Sequence, residues 1–182
     1  YVNASSMETS GLDFVTSYKI ETDFGSFTPS LNATYITKYD LMDPQAGNID
    51  GAGRRNFNNI GVSSPELRAN LGLAWKNDIH AANVFLRYIS SYDDDQNCDD
   101  GTANLGGCAG GFYEVDSHLT VDAQYNIDLG GLYDTEQSYV LTLGAINMFD
   151  EEPPQLFTNS GFDSKVHDPR GRQIYARLAI EF

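Results

Sequence analysis

The sequence predicts an all-β chain, an antiparallel up-and-down meander of about seven or eight long strands. Apolar and polar residues alternate with period two in one segment after another, and no segment has the capped 3.6-residue periodicity of a long amphipathic helix. The chain is also rich in Gly, Tyr and Phe, with 17, 11 and 10 of its 182 residues. Such a composition favours strands and turns over disorder. We expect one structural unit over residues 1–182 with no internal domain boundary.

The first three predicted strands cover residues 12–20, 27–39 and 67–75, and the pattern allows a further partial strand before Ser10. The alternation is noisy in the first two and regular in the third. The third strand places its apolar residues on one face, namely Leu67, Ala69, Leu71, Leu73 and Trp75. A strand with one apolar and one polar face is half-buried in an apolar environment.

The remaining predicted strands cover residues 82–92, 115–128, 139–149 and 173–182. The clearest is 115–128. One of its faces carries Val115, Leu119, Val121, Ala123, Tyr125 and Ile127. The other carries Asp116, His118, Thr120, Asp122, Gln124 and Asn126. The last strand has the same pattern, with Ile174, Ala176, Leu178, Ile180 and Phe182 on one face.

The predicted connections alternate between short and long. The short ones are 23–26, 76–79 and 129–137, and the long ones are roughly 41–64, 94–114 and 150–169. Long strands with short turns at one end and long loops at the other are typical of outer-membrane β-barrels. A soluble sandwich with uneven loops is the alternative.

Aromatic residues gather near both ends of the predicted strands. Near the short turns lie Tyr18, Phe27, Trp75, Tyr125, Tyr139 and Phe182, and near the long loops lie Tyr35, Tyr39, Tyr88, Tyr92 and Phe149. Tyr and Trp favour the headgroup level of a bilayer because the ring is apolar and its polar group is hydrated. The two belts therefore favour a membrane barrel over an aromatic soluble core.

Charge and hydropathy exclude two classes of protein. With 11 Lys and Arg against 26 Asp and Glu, the net charge is −15, which argues against a nucleic-acid binder. No apolar run approaches the roughly 18 residues of a membrane-spanning helix. The sequence starts at Tyr1 without an initiator Met or a signal peptide, so we expect it to begin inside a longer chain.

The predicted loop after residue 92 carries two candidate features. Cys98 and Cys108 lie in an Asp/Asn/Gly-rich stretch, where a local disulfide in an oxidising compartment is favoured over two free thiols. The same loop holds a candidate calcium site formed by Asp93, Asp94, Asp95, Asp99 and Asp100. Calcium binds several carboxylate oxygens, but an ordinary solvated loop explains these residues too.

The C-terminal third resembles a known family. Residues 141–154 read LTLGAINMFDEEPP, residues 168–172 read DPRGR, and a strand ending in Phe182 follows. These motifs, together with SPELRAN at 64–70, Arg87-Tyr88 and SGLDF at 10–14, are similar to those of TonB-dependent outer-membrane receptors. The similarity covers essentially the whole chain except the loop tips.

The resemblance implies a fold and a function. Members of this family form a 22-stranded transmembrane β-barrel around an N-terminal plug and import a ferric siderophore, cobalamin or an oligosaccharide with energy from the TonB complex. This chain would supply the last seven or eight strands, in the outer membrane of a Gram-negative bacterium. Its partners would be membrane lipid and lipopolysaccharide, the plug, the other strands, TonB through the absent N-terminal part, and the nutrient. Phe182 would be the assembly signal, and no cofactor is implied.

Some of the motif residues also have a physical reading. Phe149 is placed to anchor where a strand leaves the membrane, and Asp150 begins the solvated loop. Arg170 and Arg172 are expected to pair with loop carboxylates or with lipopolysaccharide phosphates.

The polar faces of the strands hold the candidate lumen residues Arg68, Arg87, His118, Asp122 and Arg177. We expect the arginines to be matched by carboxylates of the barrel wall or plug, with contact to an anionic substrate as the alternative. His118 with Asp116 and Asp122 is compatible with acid–base chemistry, but no partnered Ser nucleophile is evident. We therefore predict that the protein is not an enzyme. The alternatives are a self-contained eight-strand barrel serving as adhesin or anchor, and an outer-membrane hydrolase.

Overall fold

A computed structural model describes residues 6–44, 47–55, 63–94, 113–133, 138–156, 158 and 160–181. The prediction of an all-β chain is confirmed, because this part of the chain contains a single short helix, α1 (Leu129–Leu132). Its strands are β1 (Ser6–Ser17), β2 (Ile20–Thr22), β3 (Gly25–Asp43), β4 (Gly47–Asp50), β5 (Arg54–Arg55), β6 (Leu67–Lys76), β7 (His80–Ile89), β8 (Tyr92–Asp94), β9 (Tyr113–Val115), β10 (His118–Asp128), β11 (Ser138–Ile146) and β12 (Gln173–Glu181).

One large antiparallel sheet contains the long strands in the order β1-β3-β6-β7-β10-β11-β12. Each of these strands pairs with the next long strand along the chain, and the short strands β2 and β4 pair with β3. The predicted up-and-down meander of about seven strands is therefore confirmed.

The register divides this sheet into two chemically different faces. Leu31 pairs with Leu71, Leu71 with Leu86, and Leu86 with Val121, so a row of apolar side chains runs across four strands. We call this side the apolar face. On the opposite side, the polar face, the neighbouring row reads Asn32, Asn70, Arg87 and Thr120. The alternation seen within single strands thus continues across the sheet.

The apolar face is uncovered in the part of the chain that the structure describes. Leu71 is 48% exposed, Leu119 47% and Leu178 56%. The cluster of buried apolar residues lies elsewhere, where Tyr92, Val115 and Leu156 pack together with Tyr113 and Val166. The apolar side chains of the long strands therefore do not converge on a dry interior among the described residues.

The small sheet is a feature that the strand pattern did not predict. β8 lies between β5, with which it pairs in parallel, and β9, with which it pairs antiparallel. Tyr92 and Val115 belong to this sheet and are buried, so the expectation that they end and begin long strands was wrong. Period-two alternation continues through both positions, and it cannot show that the chain leaves one sheet and enters another.

β1 also differs from its prediction. It runs unbroken from Ser6, so the residues before Ser10 belong to the same strand as those after it. The register with β3 shifts between Ser10 and Gly11. A Cβ on Gly11 would lie 2.6 Å from the carbonyl oxygen of Tyr35, so this register shift needs a glycine. The pairing passes from Lys38 to Ile36, so the extra residue is Thr37 of β3.

Tight turns join the strands at one end of the sheet. Gly25 has φ +111°, and a Cβ there would lie 2.4 Å from the carbonyl oxygen of Lys76. After β10, the Asp128 carboxylate accepts hydrogen bonds from Gly130 N and Gly131 N and caps α1. The connection predicted as a modest turn thus starts with one helical turn.

Candidate functional site

The long connections meet at the other end of the sheet around a buried polar cluster. It joins residues of β5, β8, β10 and two connections, and it consists of Arg55, Ser63, Tyr92, Asp94, His118, Asp163 and His167. We call this set the loop-end cluster. The small sheet and the apolar contacts of Tyr92, Val115 and Leu156 hold its members in place.

Asp163 is the acceptor at the centre of the cluster. Its Oδ2 atom accepts hydrogen bonds from the hydroxyl of Ser63 and, at 3.4 Å, from that of Tyr92. The Nε atom of Arg55 lies 3.9 Å from the same oxygen. Backbone N–H groups of Val166 and His167 donate to the carbonyl of Asp163, which folds this segment into a turn. These donors satisfy a carboxylate oxygen that would otherwise be buried without a hydrogen-bond partner.

Tyr92 connects Asp163 to a pair of histidines. The ring of His167 stacks on Tyr92 with centroids 6.1 Å apart, and its Nε2 lies 3.4 Å from the Tyr92 hydroxyl. Burial, with the charge of Asp163 second, raises the pKa of Tyr92 well above its usual value. Tyr92 is therefore a neutral hydrogen-bonding group across the physiological pH range.

His167 meets His118 at the first residue of β10. Their Nδ1 atoms are 3.3 Å apart, and the rings are nearly perpendicular at 79°. Burial and, next, the neighbouring His118 lower the pKa of His167 to about 4. At neutral pH His167 is therefore uncharged. The Nε2 atom of His118 is buried and has no hydrogen-bond partner among the described residues.

Asp94, one of the candidate calcium ligands, is fully buried and bonded to Arg55. The Arg55 Nη1 atom donates to Asp94 Oδ1 at 2.8 Å. Asp93 precedes it in β8, and burial raises the pKa of Asp93. The described residues contain no group of three or more potential metal-ligating side chains. The other candidate ligands, Asp95, Asp99 and Asp100, lie outside the described residues, so the calcium site stays a prediction.

All five predicted lumen residues lie on the polar face. Arg87 pairs with Asn70 and Thr120, in the polar row named above. Arg68 and His118 both pair with Ile89, which follows Arg87 on the same face of β7. Arg177 pairs with Thr142. Arg87 forms an ion pair with Asp122, with 2.7 Å between Nη2 and Oδ2. Sequence alternation thus placed these residues on one face of the sheet.

A cavity of about 190 Å³ lies between this polar face and the connection that follows β11. The sheet contributes Arg87, Ile89, His118, Thr120 and Ile146, and the connection contributes Asn147, Val166, His167, Asp168 and Arg170. Both cationic side chains have carboxylate partners, because Arg170 pairs with Asp168 at 2.5 Å and Arg87 with Asp122. The cationic side chains that line the cavity are thus balanced by carboxylates.

The turn after β11 fixes how the connection leaves the sheet. Asn147 has φ +48°, and its amide bonds both the N–H and the carbonyl of Glu151 at 2.9 Å. Asp122 accepts from Asn147 N, and Asp150 accepts from Arg172 N. Phe149 is left 69% exposed. The expected pairing of Arg170 and Arg172 with loop carboxylates is met, although the Arg172–Asp150 ion pair is long at 4.0 Å.

The contacts of Ser63 in the loop-end cluster differ from those of a serine nucleophile in a catalytic triad. In a Ser–His–Asp triad the serine contacts the histidine and the aspartate orients it. Here Ser63 donates directly to Asp163, and Tyr92 stands between Asp163 and His167. This order of contacts is not that of a Ser–His–Asp triad.

Several members of the cluster had no detectable signal in the sequence. Arg55, Ser63, Asp163 and His167 are single residues in different connections, and no short motif joins them. Cys98, Cys108 and Phe182 lie outside the described residues. The disulfide and the assembly signal therefore stay predictions.

No protein-family model, curated protein or solved structure matches this chain. Among the described residues, no helix has the length and apolar character to cross a membrane. The functional argument therefore depends on the geometry of the sheet and of its loop end.

Proposed function

We propose that this chain forms part of the wall of an outer-membrane β-barrel, the C-terminal strands of a TonB-dependent receptor that imports a scarce nutrient. One observation carries the proposal: the apolar face extends over seven antiparallel strands and is exposed in the described part of the chain. Exposed apolar surface beyond a few hundred Å² marks contact with a partner or a membrane. Hydrocarbon lipid is the occupant that fits a face this wide and this uniformly apolar.

Strand length supports a membrane as the occupant. β6 and β7 have 10 residues each, β10 has 11, and β11 and β12 have 9. A tilted strand needs about 9–11 residues to cross a bilayer. Strands of soluble domains are usually about 5–6 residues long.

Aromatic packing at the short-turn end supports the same proposal. Phe27 and Trp75 on neighbouring strands have ring centroids 6.5 Å apart, and Trp75, His80 and Tyr125 stack in series at 6.3 and 5.8 Å. The Tyr125 hydroxyl lies 2.5 Å from His80 Nδ1, and Trp75 Nε1 donates to the carbonyl of Phe24. Aromatic rings that lie at one depth and whose polar groups are hydrogen-bonded are favoured at a bilayer interface.

The choice of receptor family rests on the motif residues. Asn147, Phe149 and Asp150 form the turn after β11, and Arg172 returns to Asp150 just before the last strand. These contacts give the residues that resemble the family a joint role, because they set where β11 ends and where β12 begins. Transport itself would need the plug and the remaining strands.

Cysteine accessibility tests the lipid-facing assignment. In a Cys98→Ser, Cys108→Ser background of the full-length protein, we would introduce Leu71→Cys on the apolar face or Asn70→Cys on the polar face. These neighbours are both exposed in the chain. In outer-membrane vesicles opened to the reagent, a charged maleimide should label Asn70→Cys at least tenfold faster than Leu71→Cys. Equal labelling, or the reverse order, would contradict the proposal.

Uptake assays test the receptor assignment separately. A deletion strain should grow less well than the wild type when its only source of one nutrient is limiting, and that nutrient is a ferric siderophore, cobalamin or an oligosaccharide. The full-length gene should restore growth. Restoration should fail in cells that lack the energy-coupling complex. Normal growth of the deletion strain on all three nutrients would contradict the importer function. The alternative would then be a barrel that serves as an adhesin or anchor.

A further inference from the structure

Two buried histidines form a contact between the large sheet and the connection after β11. His118 opens β10, and His167 lies 49 residues further along the chain. Their exposed fractions are 6% and 4%. With the two Nδ1 atoms 3.3 Å apart, one ring must donate and the other must accept through a bare nitrogen. The contact therefore requires the accepting ring to be neutral.

The hydrogen-bond network decides which ring accepts. The only hydroxyl hydrogen of Tyr92 goes to the Asp163 carboxylate, so the Tyr92 oxygen accepts from His167 Nε2. His167 Nδ1 is then the bare nitrogen, and it accepts from His118 Nδ1–H. This assignment leaves the unpartnered Nε2 of His118 without a hydrogen. A proton added to Nδ1 of His167 would place N–H against N–H. His118 could accept instead only by moving its own hydrogen to Nε2, and that buried atom has no acceptor among the described residues.

The groups that surround the pair come from every element packed against it. They are Arg55 on β5, Arg68 on β6, Arg87 on β7, Tyr92 and Asp94 on β8, Asp122 on β10, and Glu151, Asp163, Asp168 and Arg170 in the connection. Most of the charges already have partners, in the pairs Arg55–Asp94, Arg87–Asp122 and Arg170–Asp168. Glu151 and Asp163 favour a proton on the histidines, whereas burial, Arg68, Arg87 and the second histidine oppose it.

We propose that the His118–His167 contact is a proton-controlled latch, closed while His167 is neutral and released when it takes up a proton. Release would free the connection carrying Val166, His167, Asp168 and Arg170 from the polar face. Because these residues form one wall of the 190 Å³ cavity, release would also open that cavity. The latch depends on these contacts alone and not on what covers the apolar face.

The sign of the pH effect follows from the two states of His167. A released, solvated His167 has an ordinary pKa of about 6.5, whereas docking lowers it to about 4. Between these values the released state holds more protons, so the docked fraction falls as the pH falls. For one proton, the ratio of docked to released forms changes by up to about tenfold per pH unit. Above pH 7 it should be constant.

Hydrogen–deuterium exchange of the full-length protein in detergent, corrected for the intrinsic rate at each pH, tests the latch. Amides of residues 160–172 should keep constant protection from pH 8 to pH 7 and lose it progressively below about pH 6. Amides of β10 between residues 119 and 127 report on the sheet and should not change. Wild-type protein with pH-independent protection at residues 160–172 would overturn the proposal.

Matched variants assign the effect to His167. His167→Gln cannot take up the proton, so residues 160–172 should exchange at a pH-independent rate, whether that variant docks or stays released. His80→Gln alters a histidine at the opposite end of the strands and should keep the wild-type pH dependence. The latch is refuted if His167→Gln retains that dependence or if His80→Gln abolishes it. Neither result bears on the cysteine accessibility of the apolar face, so the two proposals fail separately.

Discussion

Tyr175 and Gly144 face each other across β11 and β12, and each residue depends on the other. The register pairs them, and a Cβ on Gly144 would lie 2.3 Å from Cζ of Tyr175. The ring thus lies flat over the glycine, and its hydroxyl donates to Gln124 Oε1 at 2.9 Å. An aromatic ring over a strand glycine covers backbone that would otherwise be exposed.

We expect Gly144→Ala to destabilise the protein by about 1 kcal/mol, because the Tyr175 ring must turn away and give up its hydrogen bond to Gln124. Urea unfolding in detergent measures the change. In a Tyr175→Ala background the same substitution should be neutral or slightly stabilising, since glycine within a strand costs about 0.5–1 kcal/mol relative to alanine. An equal cost in both backgrounds would show that the ring is not the cause.

Asp168 provides a pH prediction at the residue scale. The side-chain hydrogen bonds from Arg170, followed by its backbone N–H, lower the pKa of the Asp168 carboxyl to about 2. Because the charged form is the favoured one, Asp168 should stay ionised until the pH falls through about 2. NMR titration of the carboxyl carbon measures this midpoint. Arg170→Ala should raise it towards the ordinary value of about 3.9, and an unchanged midpoint would contradict the assignment.

At the scale of elements, period-two alternation predicted most of the large sheet. Strands β6, β10 and β12 lie within a few residues of their predicted bounds, because each keeps one apolar face over its whole length. The small sheet was missed because β5 has only two residues and β8 and β9 have three each. Segments that short do not show a period, and their pairing comes from distant parts of the chain.

The two faces of β6 predict opposite responses to a charge. If lipid covers the apolar face, Leu71→Lys should destabilise the folded protein by about 2–4 kcal/mol, as lysine does near a bilayer midplane. Asn70→Lys places the same charge one residue away on the polar face and should cost less than about 1 kcal/mol. Unfolding titrations in lipid vesicles compare the two variants. Similar costs would mean that the faces do not differ in environment.

At the scale of the whole molecule, the sheet is open in the described part of the chain. β1 and β12 stand at its two ends, and each has a long neighbour on one side only. Unpaired backbone groups at a sheet edge are templates for pairing, and lipid cannot satisfy them. A complete barrel would remove both edges.

If this chain is part of a larger barrel, we expect the 182 residues, refolded alone in detergent, to associate through their edges, whereas the complete barrel stays monomeric. Light scattering coupled to size-exclusion chromatography measures both masses. Association that persists after Lys or Pro is placed along β12 would show that the edges are not responsible. A monomeric 182-residue chain would contradict the expectation outright.

The small sheet has a consequence for how antibodies recognise this end of the protein. β5, β8 and β9 come from three separate parts of the chain, and Asp163 and His167 from a fourth part are hydrogen-bonded to Tyr92 of β8. Tyr92, Val115, Asp163 and His167 are buried, so an antibody raised against a linear peptide from any one of these segments would find part of its epitope hidden in the folded protein. Immunogens should therefore present the folded protein, and epitopes at this end should vanish on denaturation.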